Sequence, residues 1–466
     1  MKKIISTLFI GIIIGAVVLF FINKKWPLNG SNDLKNEIIS DQTSTNSNNF
    51  ESVTSKLDSG GDLFFYLNTK KIISAIRKSF DVLNESLIHP SEKKGEKRRE
   101  VNKLFSFVNS LLNDSGLMDI AGIGISAKEF EESLTRTKFV IEHKQGKGDK
   151  LIWNFCIRES DNLDSIDLLP KETAFASFSD FNYFHLWNWI KRQAEKSEDE
   201  KIRLGIGSVE KDLRNAGVDL PTLLKSINGD VGIIITIDKG NMKKISGKNN
   251  NIEFPDPAFA LIIKTGNESI FKLIASKIPN SEINETKERK SISIKAPKMP
   301  FTFSPMIIQS KNLLILASTP DIAEKILNNN IDAGILRTDE FIKLSRGISL
   351  SGNGFTFMSS SIMKEIMKIQ KNFNTSKYNS NKKGMEILEK LGLNFNNLSM
   401  FRVFEKTKTG YTITSNSTIR SELMLMMPVI ALGGIVSAIV IPQVIREKQR
   451  KINREEQSRN RLFRGL

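Results

Sequence analysis

Cysteine and histidine are nearly absent from this chain of 466 residues, which contains one cysteine and three histidines. The single cysteine, Cys156, excludes an internal disulfide and most cysteine-based metal sites. The histidines His89, His143 and His185 lie far apart without H-E-x-x-H spacing, so surface or packing roles are expected for them. The sequence therefore predicts no metal site, and stability has to come from an apolar core.

Motifs of nucleophilic catalysis and phosphate binding are also missing. The string G-x-S-x-G does not occur, and the glycine pairs at 122/124 and 205/207 lack the rest of a phosphate-binding loop, so strand-end turns are expected there. Cys156 lies among apolar residues of a predicted strand, which favours an inert thiol over a nucleophile. We therefore predict no catalytic residues, no cofactor and no enzymatic activity.

One aromatic cluster has two interpretations. Its members are Phe181, Tyr183, Phe184, Trp187 and Trp189. Such a cluster either belongs to a core or lines a groove for an apolar ligand, and the sequence leaves both open.

Two long uncharged runs are present, at Ile4–Ile22 and Leu423–Ile445. Each approaches the roughly 20 residues that an α-helix needs to cross a bilayer. We predict an N-terminal transmembrane anchor over 1–28 and a C-terminal transmembrane helix over 422–446. The alternatives are a cleaved signal peptide for the first run and a buried core helix for the second.

The charge around these runs predicts their orientation. The chain has a net charge of +16, and 446–466 contain eight Lys or Arg against three Glu. Positive residues favour the cytoplasmic side, so both termini are predicted to lie in the cytoplasm and the middle of the chain outside it, at a bacterial inner membrane. The basic tail, 447–466, is expected to bind anionic lipid headgroups, and nucleic-acid binding is not expected. The residues assigned to headgroup contact are Arg446, Lys448, Arg450 and Lys451.

The middle of the chain predicts an α+β ectodomain. Residues 29–61 are polar and predict a disordered tether. After it, a short apolar strand leads into an amphipathic helix four times, beginning near Asp62, Thr173, Pro257 and Gly354. These repeats predict two related halves, 62–245 and 252–418, with mainly antiparallel sheets covered by helices. The polar stretch 240–251 is either the boundary between the halves or a long hairpin loop.

Local signals predict several turns. Glycine followed by an aliphatic residue occurs at Gly116, Gly217 and Gly392, and this pattern is typical of a helix end. Thr319 followed by Pro320 predicts a helix start. The strand-like stretches 138–143 and 151–157 predict a hairpin.

Three segments resemble a known class of proteins. They are GLMDIAGIGIS at 116–126, AGVDLPTLLKSINGDVGIII at 216–235 and SPMIIQSKNLLILASTPDIAEKIL at 304–327. These segments are similar to those of a large, uncharacterised class of membrane-anchored bacterial envelope proteins with a domain of unknown function. The resemblance implies a duplicated α+β ectodomain and no catalytic residues. The stretch 430–443 also resembles, more weakly, the hydrophobic helix of type IV pilins and pseudopilins.

Together these features predict a non-enzymatic binding or structural component of the envelope, with the bilayer and other envelope proteins as candidate partners. The alternatives are an ectodomain that binds an apolar ligand or lipid, and an accessory protein of a pilus or secretion system.

Overall fold

Alternation between buried and exposed residues defines the strands of this protein. In the strand Ile227–Ser246, Ile234 is fully buried whereas its neighbour Ile233 is 37% exposed, because successive side chains of a strand point to opposite faces. The computed structural model describes residues 45–70, 73–74, 96–131, 133–246, 251–278, 282–295, 302–329, 334–362, 364–365 and 397–419.

The described part of the chain contains both α-helices and β-strands. The helices are α1 (Thr45–Thr54), α2 (Glu96–Ser115), α3 (Tyr183–Lys196), α4 (Glu200–Asn215), α5 (Leu220–Ser226), α6 (Ser269–Lys277), α7 (Pro320–Leu327) and α8 (Asp339–Ser345). The strands are β1 (Leu63–Asn68), β2 (Ile120–Glu131), β3 (Leu134–His143), β4 (Asp161–Asn162), β5 (Thr173–Ser179), β6 (Ile227–Ser246), β7 (Asn251–Thr265), β8 (Ile283–Glu285), β9 (Arg289–Ser293), β10 (Met306–Ser310), β11 (Leu313–Ala317), β12 (Ser351–Gly352), β13 (Gly354–Met358), β14 (Met400–Thr407) and β15 (Gly410–Ser417).

Thirteen of these strands form one sheet in which every pair is antiparallel. Their order is β1-β2-β3-β15-β14-β13-β5-β6-β7-β11-β10-β9-β8. The strands β4 and β12 form a separate two-stranded pair. The expected α+β class with antiparallel strands is confirmed.

Three copies of one motif build most of the large sheet. In each copy a first strand is followed by a long connection, and then by a second and a third strand that pair side by side in that order. The copies are β1-β2-β3, β5-β6-β7 and β13-β14-β15. Neighbouring copies meet through like strands, because the third strands β3 and β15 pair with each other and so do the first strands β13 and β5. In each of these two junctions, like strands of neighbouring copies therefore run in opposite directions.

The main core covers one face of the sheet, and a smaller core covers part of the other. Leu314 and Ile315 are consecutive in β11 and both are fully buried. Ile315 belongs to the main core with Ile322 of α7 and Phe341 of α8, whereas Leu314 packs with Phe271 of α6. The sheet is therefore packed against helices on both faces in this region.

The predicted disordered tether, 29–61, is wrong for residues 45–61. Residues 45–54 form α1, and Val53 and Leu57 are buried against the sheet. They lie four residues apart, and both pack against Gly124 of β2. A side chain at position 124 would not leave room for them, because its Cβ would come 2.5 Å from Val53. The local sequence is too polar to predict this contact, since the surface that α1 covers is supplied by strands about 70 residues later.

The predicted hairpin between 138–143 and 151–157 is also wrong. Strand β3 pairs with β2 on one side and with β15 on the other, whereas Leu151–Asn154 form a short 3₁₀ turn. Apolar residues at 151–157 have the composition of a strand, but they pack on the sheet instead of joining it: Trp153 is buried beside Tyr411.

The predicted halves, 62–245 and 252–418, share a single sheet. Strands β13 to β15 from the second half lie between β3 and β5 from the first. Within the stretch 240–251, residues Met242–Ser246 of β6 pair with Pro255–Asn251 of β7, so the described part of this stretch continues the β6-β7 pairing. This arrangement corresponds to the hairpin alternative, and it leaves fewer sheet edges than two separate sheets would.

Several other local predictions are confirmed. The predicted strand-helix repeat that begins near Thr173 is β5 followed by α3, and the one that begins near Pro257 is β7 followed by α6. Gly116 and Gly217 have left-handed backbones, and the amide N–H groups of Gly217 and Val218 donate to the carbonyls of Arg214 and Leu213, as a helix-ending turn requires. The Thr319 hydroxyl caps α7. Gly392, both uncharged runs and the basic tail lie outside the described residues.

Candidate functional site

Charged residues from distant parts of the chain converge at one end of the central strands. Asp180 follows the last residue of β5, Asp230 lies near the start of β6 and Lys264 near the end of β7. Because these three strands are adjacent and antiparallel, these positions lie at the same end of the sheet. Arg158 and Ser165 reach them from the segment between β3 and β5. We call these five residues the ion-pair cluster.

Asp230 is the centre of the ion-pair cluster. Its Oδ1 accepts a hydrogen bond of 2.9 Å from Nη2 of Arg158, and its Oδ2 accepts one of 2.9 Å from Nζ of Lys264. The hydroxyl of Ser165, which is fully buried, donates to Oδ2 over 2.5 Å. Both carboxylate oxygens are therefore occupied by partners within the protein.

Asp180 lies deeper, with 2% of its surface exposed. Its Oδ2 accepts a hydrogen bond of 3.1 Å from the backbone N–H of Arg158, and the Asn353 amide lies 3.5 Å away. Burial raises the pKa of Asp180, and the hydrogen bonds from Arg158 and Asn353 oppose this increase. Asn353 also donates to the carbonyl oxygen of Arg158 and accepts from the backbone N–H of Lys406, so it fixes β14 to the cluster.

Cys156 is next to this cluster and is buried. Burial, together with the charge of Asp180 and a hydrogen bond to it, raises the pKa of the thiol to about 12. The thiol is therefore protonated at neutral pH, and only a thiolate is a good nucleophile. The geometry agrees with the inert thiol expected from the sequence.

The ion-pair cluster is arranged to hold segments together. A buried serine that donates to a paired carboxylate is neither accessible to a substrate nor activated by a base. Removing one partner of a buried ion pair leaves an uncompensated charge, which is strongly destabilising. The cluster therefore connects β5, β6, β7 and the 158–165 segment in one register.

A groove of about 540 Å³ lies beside the cluster. Leu313, which lines the groove, is the register partner of Lys264, and Leu168 lines it from the 3₁₀ turn Asp164–Leu168. Within the groove, Nη1 of Arg289 lies 2.6 Å from Oε1 of Glu324. The other lining residues are Thr286, Glu288, Ser310, Lys311, Asn312, Ile326, Leu327 and Asn328. The lining is mostly polar and its charges balance, so it does not favour an acyl chain.

A second surface is apolar. Ile233, Phe259 and Leu261 are 37%, 41% and 38% exposed, and together we call them the apolar patch. Leu261 is the register partner of Ile233, and Phe259 lies two residues away on the same face of β7. The patch lies on the face of the sheet opposite Ile234 and Ile262 of the main core.

The aromatic cluster predicted from the sequence belongs to the packing of the helices and not to the groove. Trp189 is buried, with its indole N–H donating to the carbonyl of Asp114, and the indole N–H of Trp187 donates to Glu210. Lys225 lies over the ring of Phe184, 4.8 Å from its centre. None of the cluster residues lines the groove described above.

The remaining predicted positions do not converge. Nδ1 of His143 donates to the carbonyl oxygen of Lys144, and the His143 ring packs on Trp153. Burial lowers the pKa of His185. His89 lies outside the described residues. The glycine pairs are not strand-end turns: Gly122 and Gly124 lie within β2, and Gly205 and Gly207 lie within α4. Within the described ranges, no group of three potential ligands could hold a metal ion.

Sequence reasoning missed the ion-pair cluster. Its members are separated by up to about 100 residues and carry no motif. One signal was available: Asp180 directly follows the apolar strand FASFS, and Asp230 directly precedes VGIII. An acid next to a buried strand needs a partner, since an unpaired buried carboxylate is costly.

The fold and the cluster define an α+β protein built on one large antiparallel sheet and locked by internal ion pairs. No family model, curated protein or solved structure matches the chain. None of the helices in the described part of the chain is long and apolar enough to cross a membrane.

Proposed function

We propose that the chain is a membrane-anchored extracytoplasmic binding protein without enzymatic activity. Two observations from the sequence support the anchoring: the uncharged runs at 4–22 and 423–445, and the basic residues that follow the second run. In this proposal the α+β unit lies outside the cytoplasm, and the tail 447–466 binds anionic headgroups from the cytoplasmic side.

The observation that carries the non-enzymatic part is the state of the ion-pair cluster. Catalytic sites present groups that are poised to exchange protons or to attack a substrate. Here Asp230 already accepts three hydrogen bonds, Ser165 is fully buried, and the pKa of the Cys156 thiol is about 12. The state of these buried groups thus favours a structural role for the cluster, which leaves the surface for binding.

The location can be tested by labelling single introduced cysteines. Gly205 lies in α4, and a Cβ added there would meet no atom within 4 Å. We expect Gly205→Cys in the full-length chain to react with a membrane-impermeant maleimide in intact cells, because the α+β unit would be outside the cytoplasm. Ser458→Cys in the basic tail should react only after the membrane is opened.

The unsubstituted chain is the control for background labelling, since Cys156 is buried and its thiol is protonated. If Gly205→Cys is protected until the membrane is opened, the proposed location is wrong. Equal labelling of both positions in intact cells would contradict the predicted placement of the tail.

Binding of an apolar ligand is supported by one feature, the apolar patch, and is disfavoured by the polar lining of the groove. It remains a prediction that titration with a fluorescent fatty acid can test. The resemblance of 430–443 to pilin helices lies outside the described residues, so a role in a pilus or secretion system also remains a prediction.

A further inference from the structure

Strand β1 forms one edge of the large sheet and has an unusual composition for that position. Its six residues, LFFYLN, include no charged residue and no proline. Phe64 and Phe65 point to opposite faces, yet they are 46% and 41% exposed. Among the described strands, its neighbour is β2 alone. Edge strands are usually short, charged or interrupted by proline, because an apolar edge invites pairing with another strand.

The sheet itself contains a template for such pairing. Strand β1 is the first strand of its motif copy, and the first strands of the other two copies, β13 and β5, pair with each other. The middle pair of that junction is Thr356 opposite Ser177, and their hydroxyl oxygens are 3.1 Å apart. Two first strands of this motif can therefore form an antiparallel junction around a local two-fold axis.

The equivalence of β1 and β13 identifies which residue of β1 matches the middle of the β13 pairing. In both strands a helical segment begins shortly after the strand, at residue 69 after β1 and at residue 360 after β13. Phe65 and Thr356 each lie four residues before the start of the helical segment, so the two residues correspond. Each pairs with the second strand of its own copy: Phe65 with Ile125, and Thr356 with Arg402. Phe65 is thus the residue of β1 that corresponds to Thr356, the middle residue of β13 in its pairing with β5.

We infer that β1 pairs antiparallel with β1 of a second copy of this chain, with Phe65 opposite Phe65 of that copy. Phe64 then faces Tyr66 of the second copy, and Leu63 faces Leu67. The pairing joins two thirteen-stranded sheets and covers both exposed phenylalanines. This inference names a partner for the proposed binding role, and its test does not depend on the predicted membrane location.

The expected interface is small. Cross-strand pairs of large apolar side chains contribute about 0.2–1 kcal/mol each, and a six-residue strand pair covers less than the roughly 1,200–2,000 Å² of a typical stable interface. Association in dilute detergent solution is therefore expected to be weak. Two copies anchored in one membrane have a higher effective concentration, which favours the pairing.

Crosslinking at the predicted two-fold axis tests the inference. The full-length chain carrying Phe65→Cys, in the cells that express it or purified at high concentration, is treated with a short bis-maleimide. We expect a product with twice the mass of the chain, because residues directly opposite in an antiparallel pair have Cβ atoms about 4.5–5.5 Å apart. The matched control is Ile283→Cys in the other edge strand, β8, where Ile283 is 49% exposed.

Three results would overturn the inference: no dimer with Phe65→Cys, equal crosslinking at position 283, or a product in which Phe65→Cys is joined to a different protein. Equal crosslinking would indicate random collision. Attachment to another protein would show that β1 pairs with an extended segment of that protein and not with a second copy.

Charge substitutions at the same position provide an independent measurement. Because Phe65 is opposite itself, Phe65→Lys or Phe65→Glu places two like charges together, and co-purification of two differently tagged copies should fall. Co-expression of the Lys variant with the Glu variant should restore it. A thermal midpoint close to that of the unsubstituted chain checks folding, since Phe65 is outside the core. Undiminished association of either variant alone would contradict the proposed register.

Discussion

The two edges of the large sheet differ in length, composition and charge. Strand β8 has three residues, and its last residue, Glu285, lies 3.4 Å from Lys290 of β9, which also binds Glu268 over 2.9 Å. Strand β1 is twice as long and carries no charge. Short, charged edges resist pairing with another chain, whereas long apolar edges allow it. The comparison indicates that this protein protects one edge and leaves the other available.

The interior junction of β13 with β5 shows what a paired first strand looks like. Phe355 of β13 is 3% exposed and stacks on Phe178 of β5, with ring centres 5.3 Å apart. Its equivalent in β1, Phe64, is 46% exposed. The same motif position is therefore core in one copy and surface in another, and one difference between the two copies is that β13 has a second neighbouring strand.

Replacing each of these two phenylalanines by alanine should give the largest difference in lost stability between the interior and the β1 edge. Phe355→Ala removes a buried ring and is expected to lower the free energy of unfolding by about 3–5 kcal/mol. Phe64→Ala should cost about 1 kcal/mol or less, as expected for an exposed cross-strand residue. Denaturant unfolding of the full-length chain measures both losses. Similar losses for the two variants would show that β1 is already as well covered as β13.

Removing an ion-pair partner should likewise cost more stability in the interior than at the β8 edge. Asp230→Ala leaves Arg158 and Lys264 without their shared partner, and we expect a loss of about 3 kcal/mol in the free energy of unfolding. Glu285→Ala removes an exposed partner of Lys290 at the β8 edge and should cost about 0–1 kcal/mol. The same denaturant titration compares them. A loss at Glu285 as large as that at Asp230 would show that charge stabilises the edge and does not merely protect it.

The smallest expected effect concerns the dependence of stability on pH, which should have opposite signs for Asp180 in the interior and Glu268 near the β8 edge. Burial raises the pKa of Asp180, so its contribution favours the folded state at low pH and is lost as pH rises through the raised pKa. A hydrogen bond from Lys290 lowers the pKa of Glu268, so the stability that Glu268 contributes is present above its unfolded pKa and is lost as pH falls through the lowered one.

As pH increases from about 3 to 7, Asp180→Asn should therefore gain thermal midpoint relative to the unsubstituted chain, whereas Glu268→Gln should lose it. The unsubstituted chain at each pH is the reference. Parallel changes in the two variants would contradict the assignment of opposite pKa shifts to the interior and the β8 edge.

Sequence patterns predicted the local parts of this fold. The structure contains the predicted strand-helix repeats that begin near Thr173 and Pro257. It also contains the helix cap at Thr319 and the helix-ending glycine at Gly217. Each depends on residues within about five positions of one another, where hydrogen-bonding and backbone preferences act directly.

Other features could not be predicted in this way. The burial of Val53 depends on glycines of β2, and the placement of 151–157 on the sheet depends on Tyr411. The ion-pair cluster joins residues from 158 to 264 that share no motif. In each case, the partner that decides the structure is distant in the chain, so local composition alone favoured a tether, a hairpin or an ordinary surface charge.

By itself, the sequence determined the α+β class and the strand-to-helix units, and it contains the two uncharged runs that predict anchoring. Only the tertiary structure decided that three motif copies share one sheet and that Asp230 binds two cationic side chains. It also placed the apolar strand β1 at an edge of the described sheet. The reason is physical: side-chain periodicity specifies what kind of element forms, whereas the choice of neighbouring strand depends on backbone hydrogen bonds, which every residue except proline can donate and accept.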